Sequence, residues 1–209
     1  MSQPDVYAPP RSSVSGLTPA ELAIDASGAF PLATIGQRIG ASLLEMVVLI
    51  PLIGLLSYLG TLSRTADITC TVLIQCLVTV YYIAMVGLFG GTAGKLMLGL
   101  RVVSTERAPA TWTASILRYS VYGVVGLLSA AGQLIAKLSI TPENYASLSY
   151  MERALAIQAA TPGWATAVGA VMGLWFIACF ICMLVNKQRR TLYDLQAGTI
   201  VVHKRKPAL

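Results

Sequence analysis

Four long apolar stretches divide the chain, and each is long enough to cross a lipid bilayer. They cover approximately residues 38–60, 68–89, 115–136 and 164–185. A helix rises about 1.5 Å per residue, so roughly 20 apolar residues match a hydrocarbon core about 30 Å thick. The pattern therefore predicts an all-α membrane protein with four transmembrane helices.

The segments outside the spans differ in composition. Residues 1–30 are rich in proline, serine and alanine, which predicts a disordered cytoplasmic arm. We assign residues 31–205 to the membrane domain and residues 206–209 to a tail. Residues 137–163 form the longest outside loop, in which Thr141-Pro142-Glu143 is typical of a helix start. We expect one helix from this point, lying against the outer surface.

Two short elements are predicted on the cytoplasmic side. Thr92–Leu100 suits a helix lying at the membrane interface, with Leu96, Met97 and Leu100 facing lipid and Lys95 extending towards the headgroups. The β-branched run Ile200–Val202 predicts a strand. We expect it to pair with Val102–Val103, because two short strands on one side of the membrane would satisfy each other's backbone groups.

Composition agrees with a membrane protein. Hydrophobic residues make up 56% of the chain and charged residues only 11%, whereas a soluble domain carries about 25% charged residues. The net charge of +6 comes from 15 Lys and Arg against 9 Asp and Glu. No compact basic domain remains that could bind nucleic acid, so we do not expect nucleic acid as a partner.

The distribution of basic residues predicts the orientation. If both termini are cytoplasmic, the outside segments hold only Arg64, Lys137 and Arg153, and the other 12 of the 15 Lys and Arg lie inside. Cytoplasmic loops are enriched in Lys and Arg in this way. Arg189 and Arg190 are expected to face lipid as anchors for anionic headgroups.

Charged and small residues within the spans are the candidates for a specific role. Arg38 and Glu45 lie on one face of the first span, about 10 Å apart along its axis. A carboxylate in a span costs about 3 kcal/mol, so Glu45 should face protein or water. Ala165, Gly169 and Gly173 form a stripe of small residues that allows close helix packing.

The sequence resembles the RDD family of bacterial membrane proteins, named for an Arg and an Asp in the first span and an Asp near the C-terminus. Arg38 matches the first, Glu45 stands where the family usually has Asp, Arg118 matches a common Arg, and Asp194 lies in a matching Leu-Tyr-Asp-Leu-Gln-Ala-Gly-Thr segment. The family's glycine segment is matched by Gly90-Gly91-Thr92-Ala93-Gly94-Lys95 and its continuation to Arg101. The residues that we single out in this segment are Gly91, Thr92, Gly94, Lys95, Gly99 and Arg101.

The resemblance implies a location in the bacterial inner membrane and a link to transport, since some members are thought to exchange sodium for protons. Arg38, Glu45, Arg118 and Asp194 are expected to form a charge network at the cytoplasmic mouth. His203 has no Cys or carboxylate cluster beside it, and no nucleophile–base set can be assembled. We therefore expect no metal, cofactor or enzymatic activity.

Two functions remain open. The first is an accessory or structural subunit of a larger membrane complex, in contact with other subunits or with itself and associated with transport. The alternative is a small cation/proton antiporter that uses the charged residues at the cytoplasmic mouth.

Overall fold

The computed structural model describes residues 32–203; the predicted arm over residues 1–30 and the tail over 206–209 lie outside this range. The predicted fold class is confirmed: four helices are long and apolar enough to cross a membrane, and a two-stranded sheet accompanies them. The elements in chain order are α1 (Ile35–Gly60), α2 (Arg64–Phe89), α3 (Ala93–Met97), β1 (Leu100–Ser104), α4 (Trp112–Ser139), α5 (Pro142–Ser147), α6 (Tyr150–Ala160), α7 (Gly163–Val185), α8 (Leu192–Gln196) and β2 (Thr199–His203).

The four long helices α1, α2, α4 and α7 follow one another through pairwise contacts. Helix α2 packs against both α1 and α4, and α4 packs against α7. Each long helix contains one of the four predicted spans. Because there is an even number of crossings, residues 32 and 203 lie at the same end of the molecule. We call this the strand end, and the opposite end, which carries α5 and α6, the loop end.

The strands form the most tightly packed part of the described chain. Strands β1 and β2 are antiparallel, and Val102 pairs with Val201. The sequence prediction of this pairing is confirmed. Residues before α1 join the same sheet, since the backbone N–H of Ala33 donates to the Val201 carbonyl over 3.0 Å. The core therefore centres on the sheet at the strand end and includes Ala41 of α1 and Val86 of α2. Its apolar members are at most 8% exposed: Ala33, Ala41, Val86, Leu100, Val102, Val103, Ala110, Ile200, Val201 and Val202.

The predicted interfacial helix is shorter than expected. Of its three expected lipid-facing residues, Met97 is 63% exposed and Leu96 is half-buried, whereas Leu100 is not exposed. Helix α3 ends at Met97, and Gly99 then adopts a left-handed φ of 68° that redirects the chain into β1. Leu100 consequently belongs to the strand and is fully buried. Lys95 is half-buried, and its ammonium group donates to the Thr92 hydroxyl over 3.0 Å, so it does not extend towards the headgroups.

The loop end contains two helices where the sequence predicted one. Thr141 caps α5 as expected, but that helix ends after six residues, and Ser149 starts α6 with a capping box completed by Glu152. The second cap explains the break, because Ser149 must leave helical geometry for its side chain to accept from the Glu152 backbone N–H.

Candidate functional site

Asp194 connects three separate parts of the fold at the strand end. Its Oδ2 accepts from Nη1 of Arg38 in α1 over 2.6 Å, and its Oδ1 accepts from Nη1 of Arg118 in α4. Asp194 has no exposed surface, and each arginine is only 7% exposed. These three of the four residues predicted to form a charge network are therefore brought together as a buried triad.

Local structure fixes the position of the acid. Thr191 caps α8 and accepts from the Asp194 backbone N–H, while the Thr191 N–H donates to Asp194 Oδ2 over 3.1 Å. This reciprocal capping is a strong local signal in the Thr-Leu-Tyr-Asp sequence. Nη1 of Arg118 also donates to the hydroxyl of Thr199, and its guanidinium lies 5.0 Å from the centre of the Tyr193 ring. Both partners therefore keep Arg118 in place.

The electrostatics favour an ionised Asp194. Burial alone would raise its pKa, but the positive charges of Arg118 and Arg38 outweigh burial and lower the pKa to about 2. Two cations face one anion here, and Nε and Nη2 of Arg38 are buried without a hydrogen bond inside residues 32–203. The triad thus carries one excess positive charge, held away from water.

Arg190 is not the lipid-facing anchor that the sequence suggested. Its Nε donates to the Thr199 carbonyl over 3.1 Å and its Nη2 to the Asp194 carbonyl over 3.3 Å. Carbonyls near the end of a short helix such as α8 have no partner within the helix, which makes them acceptors for a nearby arginine. Arg190 therefore stabilises the segment that carries the triad.

Glu45 does not join the triad. Its Oε1 accepts from the Tyr81 hydroxyl, and its Oε2 accepts from the backbone N–H of Gly94 over 3.2 Å. The Tyr81 oxygen in turn accepts from the Ala93 N–H over 3.0 Å. Because Glu45 follows Arg38 by about two turns of α1, it reaches the start of α3 instead of Asp194. Glu45 is 5% exposed, and its bonds attach α3 to α1 and α2.

Gly94 shows why the glycine segment has little freedom to vary. A Cβ there would lie 2.7 Å from the Glu45 backbone nitrogen and closer still to the Ala41 carbonyl oxygen. Only glycine lets α3 pack this closely on the backbone of α1. The other members of the segment support the turn: Gly91 and Thr92 are buried, and Arg101 lies opposite Val202 in the sheet.

The stripe of small residues on α7 divides into two parts. Ala165 is buried and lies where it would meet a Cβ added to Gly132 of α4. Nothing in the described chain lies within 4 Å of a Cβ added at Gly169 or Gly173. Close packing of a helix against Gly169 and Gly173 therefore stays a prediction, and that helix would have to come from another molecule.

A second ion pair, not foreseen from the sequence, lies at the loop end. Lys137 of α4 is 5% exposed and donates to Oδ1 of Asp67 in α2 over 2.8 Å and to the Thr71 hydroxyl over 2.6 Å. The Tyr145 hydroxyl donates to Asp67 Oδ2 over 2.7 Å. Lys137 lies in the last turn of α4 and Asp67 in the first turn of α2. The sequence signal was therefore a pair of opposite charges at the same end of two antiparallel spans.

Comparison with known proteins identifies a family. The family model described as RDD family matches residues 32–198. The chain belongs to the RDD family. The match includes Arg38, Arg118 and Asp194, so the triad lies inside the shared region of this RDD protein. No curated protein and no solved structure matches the chain.

Proposed function

We propose that this RDD protein is a non-enzymatic accessory or structural subunit of a larger complex in the bacterial inner membrane, associated with transport. We further propose that both termini are cytoplasmic, as the excess of basic residues at the strand end suggests. The observation that carries the proposal is the triad, in which Asp194 is fully buried and bonded to Arg38 and Arg118.

The triad suits a structural role better than an ion path. A transported ion or proton needs a group that solvent can reach and that can exchange partners. Asp194 instead binds two arginines from different helices and two groups of its own capping box. Replacing Asp194 would leave the two arginines buried without this acid, which is costly.

The outer surface of α7 supports a contact with another protein. Small residues at such positions let two membrane helices approach closely. Gly169 and Gly173 are exposed, and added side chains there would meet nothing within the described chain. Variants at these positions can therefore separate partner binding from folding.

The test is purification in mild detergent. We expect the tagged protein to recover partners in constant stoichiometry, and we expect Gly169→Leu/Gly173→Leu to lose them. Val171→Leu, two residues from each glycine and exposed on the other side of α7, is the matched control and should keep them. Recovery of this chain alone, or equal recovery with all three proteins, would reject the proposal.

A second function is favoured by one observation. Glu45 is a buried carboxylate in a membrane helix, and it makes no ion pair within residues 32–203. Ionisable groups of this kind often belong to ion or proton pathways. The alternative is therefore a cation/proton antiporter, tested by pH-driven sodium flux in proteoliposomes. Flux should disappear in Glu45→Gln and persist in Glu106→Gln, which changes an exposed acid; equal flux would exclude Glu45 from the mechanism.

A further inference from the structure

A cavity of about 540 Å³ opens at the loop end of the protein. It lies between α1, α2, α4 and α6, with Tyr145 of α5 at its edge. Pockets for small molecules in proteins commonly measure about 300–1,000 Å³. This cavity is therefore large enough for a small organic molecule and far larger than a bare ion requires.

The charged side chains that line the cavity sum to one positive charge. Asp67 contributes one negative charge, and Lys137 and Arg153 contribute one positive charge each. Burial and the hydrogen bond to Asp67 raise the pKa of Tyr145 to about 12, so its phenol is neutral at pH 7. A cavity of low dielectric strengthens the effect of this excess charge on a ligand.

The hydrogen bonds of these side chains also favour a ligand that accepts hydrogen bonds. Both carboxylate oxygens of Asp67 already accept, one from Lys137 and one from the Tyr145 hydroxyl. Lys137 has three N–H groups and uses two of them, on Asp67 and Thr71. Arg153 donates through Nε and Nη1 to the carbonyls of Leu148 and Thr61, and neither bond uses Nη2. The acid is thus satisfied, whereas the cations retain donors.

The remaining wall combines two amides with apolar surface. The side chain of Gln133 is exposed and makes no hydrogen bond within residues 32–203, and that of Gln75 bonds only to Thr79 within its own helix. Ile74 and Ile157 supply apolar surface. Pockets of this composition orient a ligand by a few polar groups and gain affinity from its apolar body.

We propose that the cavity at the loop end binds a small organic anion, with its anionic oxygens towards Lys137 and Arg153 and its apolar body towards Ile74 and Ile157. The amide of Gln133 lies in the same cavity and is available to a ligand. The site is separate from the buried triad, so the proposal does not depend on the protein being an accessory subunit.

Thiol labelling tests the charge preference of the cavity. Gln133→Cys and, as a second reporter, Ser129→Cys are made in a background where Cys70, Cys76, Cys179 and Cys182 are replaced by Ala. Two methanethiosulfonate reagents of similar size are compared, one with a sulfonate and one with a trimethylammonium group. Asn144→Cys, which is exposed outside the cavity, provides the reference ratio of the two rates.

We expect the ratio of anionic to cationic labelling to be at least about tenfold higher at the cavity reporters than at the reference cysteine. Arg153→Gln should remove most of this preference. Lys187→Gln, an equal change in charge at an exposed position at the strand end, should leave it unchanged. A ratio equal to the reference, or faster labelling by the cationic reagent, would overturn the proposal.

Ligand protection tests the site directly. Benzoate at millimolar concentration should slow labelling of the cavity reporters several-fold, and benzamide, its uncharged analogue, should not. Equal protection by the two compounds, or none, would contradict the proposal. A lipid phosphate would be the occupant instead if the reporters are protected only after reconstitution into phosphatidylglycerol vesicles and benzoate does not change that protection. This outcome would also overturn the proposal.

Discussion

The substitution Asp194→Asn isolates the charge of the buried triad. Asparagine has the shape of aspartate, and its side-chain oxygen can still accept from the Thr191 N–H that caps α8. What disappears is the acid that pairs with Arg38 and Arg118, each 7% exposed. Within residues 32–203, the two guanidinium groups are then left buried without an ion-pair partner.

Two routes give the size of the effect. Lowering the pKa of Asp194 from 3.8 to about 2 corresponds to about 2.5 kcal/mol of preference for the ionised form in the folded state. Removing one partner of a buried ion pair generally costs about 3–5 kcal/mol. We therefore expect Asp194→Asn to lower the free energy of unfolding by about 3 kcal/mol.

Thermal unfolding in mild detergent measures this loss. For a chain of this length about 1 kcal/mol shifts Tm by about 2–4 °C, so Asp194→Asn should lower Tm by about 6–12 °C. Glu106→Gln removes an exposed acid and should change Tm by less than about 2 °C. Adding Arg38→Gln to Asp194→Asn should restore part of the loss, because one unpaired charge is then removed.

A drop for Asp194→Asn no larger than that for Glu106→Gln would refute the assignment of Asp194 as the acid that neutralises the triad. Strict additivity in the double variant would also refute it, because residues that share one ion pair must be energetically coupled.

Three further predictions concern the same end of the molecule. The folded-state pKa of Asp194 is depressed, so the stability difference between wild type and Asp194→Asn should be complete above about pH 5 and shrink as pH falls from about 4 to 2, measured by Tm at each pH. Gly94→Ala should lower stability by about 1–3 kcal/mol, seen as a lower Tm, because the methyl group would collide with the α1 backbone at Ala41. Tyr81→Phe should cost about 1–3 kcal/mol in the same assay, because Glu45 loses a buried donor; an unchanged Tm would contradict either prediction.

The spans and the strand pairing were predictable from sequence for physical reasons. A bilayer requires every backbone group to be satisfied inside the span, so a long apolar run specifies a helix almost regardless of its detailed sequence. The pairing of Val102 with Val201 followed from two β-branched runs at the same end, whose edges needed partners. Both inferences depend on composition over several residues, not on any one contact.

The positions of individual side chains were harder to predict, because lipid and protein interior are equally apolar. Leu100 was expected to face lipid and is fully buried in β1. Glu45 was expected in one charge network with Asp194 but bonds with Tyr81 and Gly94. Each outcome depends on which helix lies alongside, and hydrophobic periodicity carries little of that information when both surroundings are apolar.

Helix α4 shows what the two ion-pair sites achieve together. Arg118 and Lys137 lie 19 positions apart on it, which is about 28 Å along the axis and about 100° around it. Arg118 bonds to Asp194 at the strand end, and Lys137 bonds to Asp67 at the loop end. Sliding or rotating an apolar helix in a bilayer changes its burial little, so hydrophobicity alone sets neither its depth nor its orientation. Two ion pairs at different depths and on different faces set both, because any shift that keeps one pair would break the other.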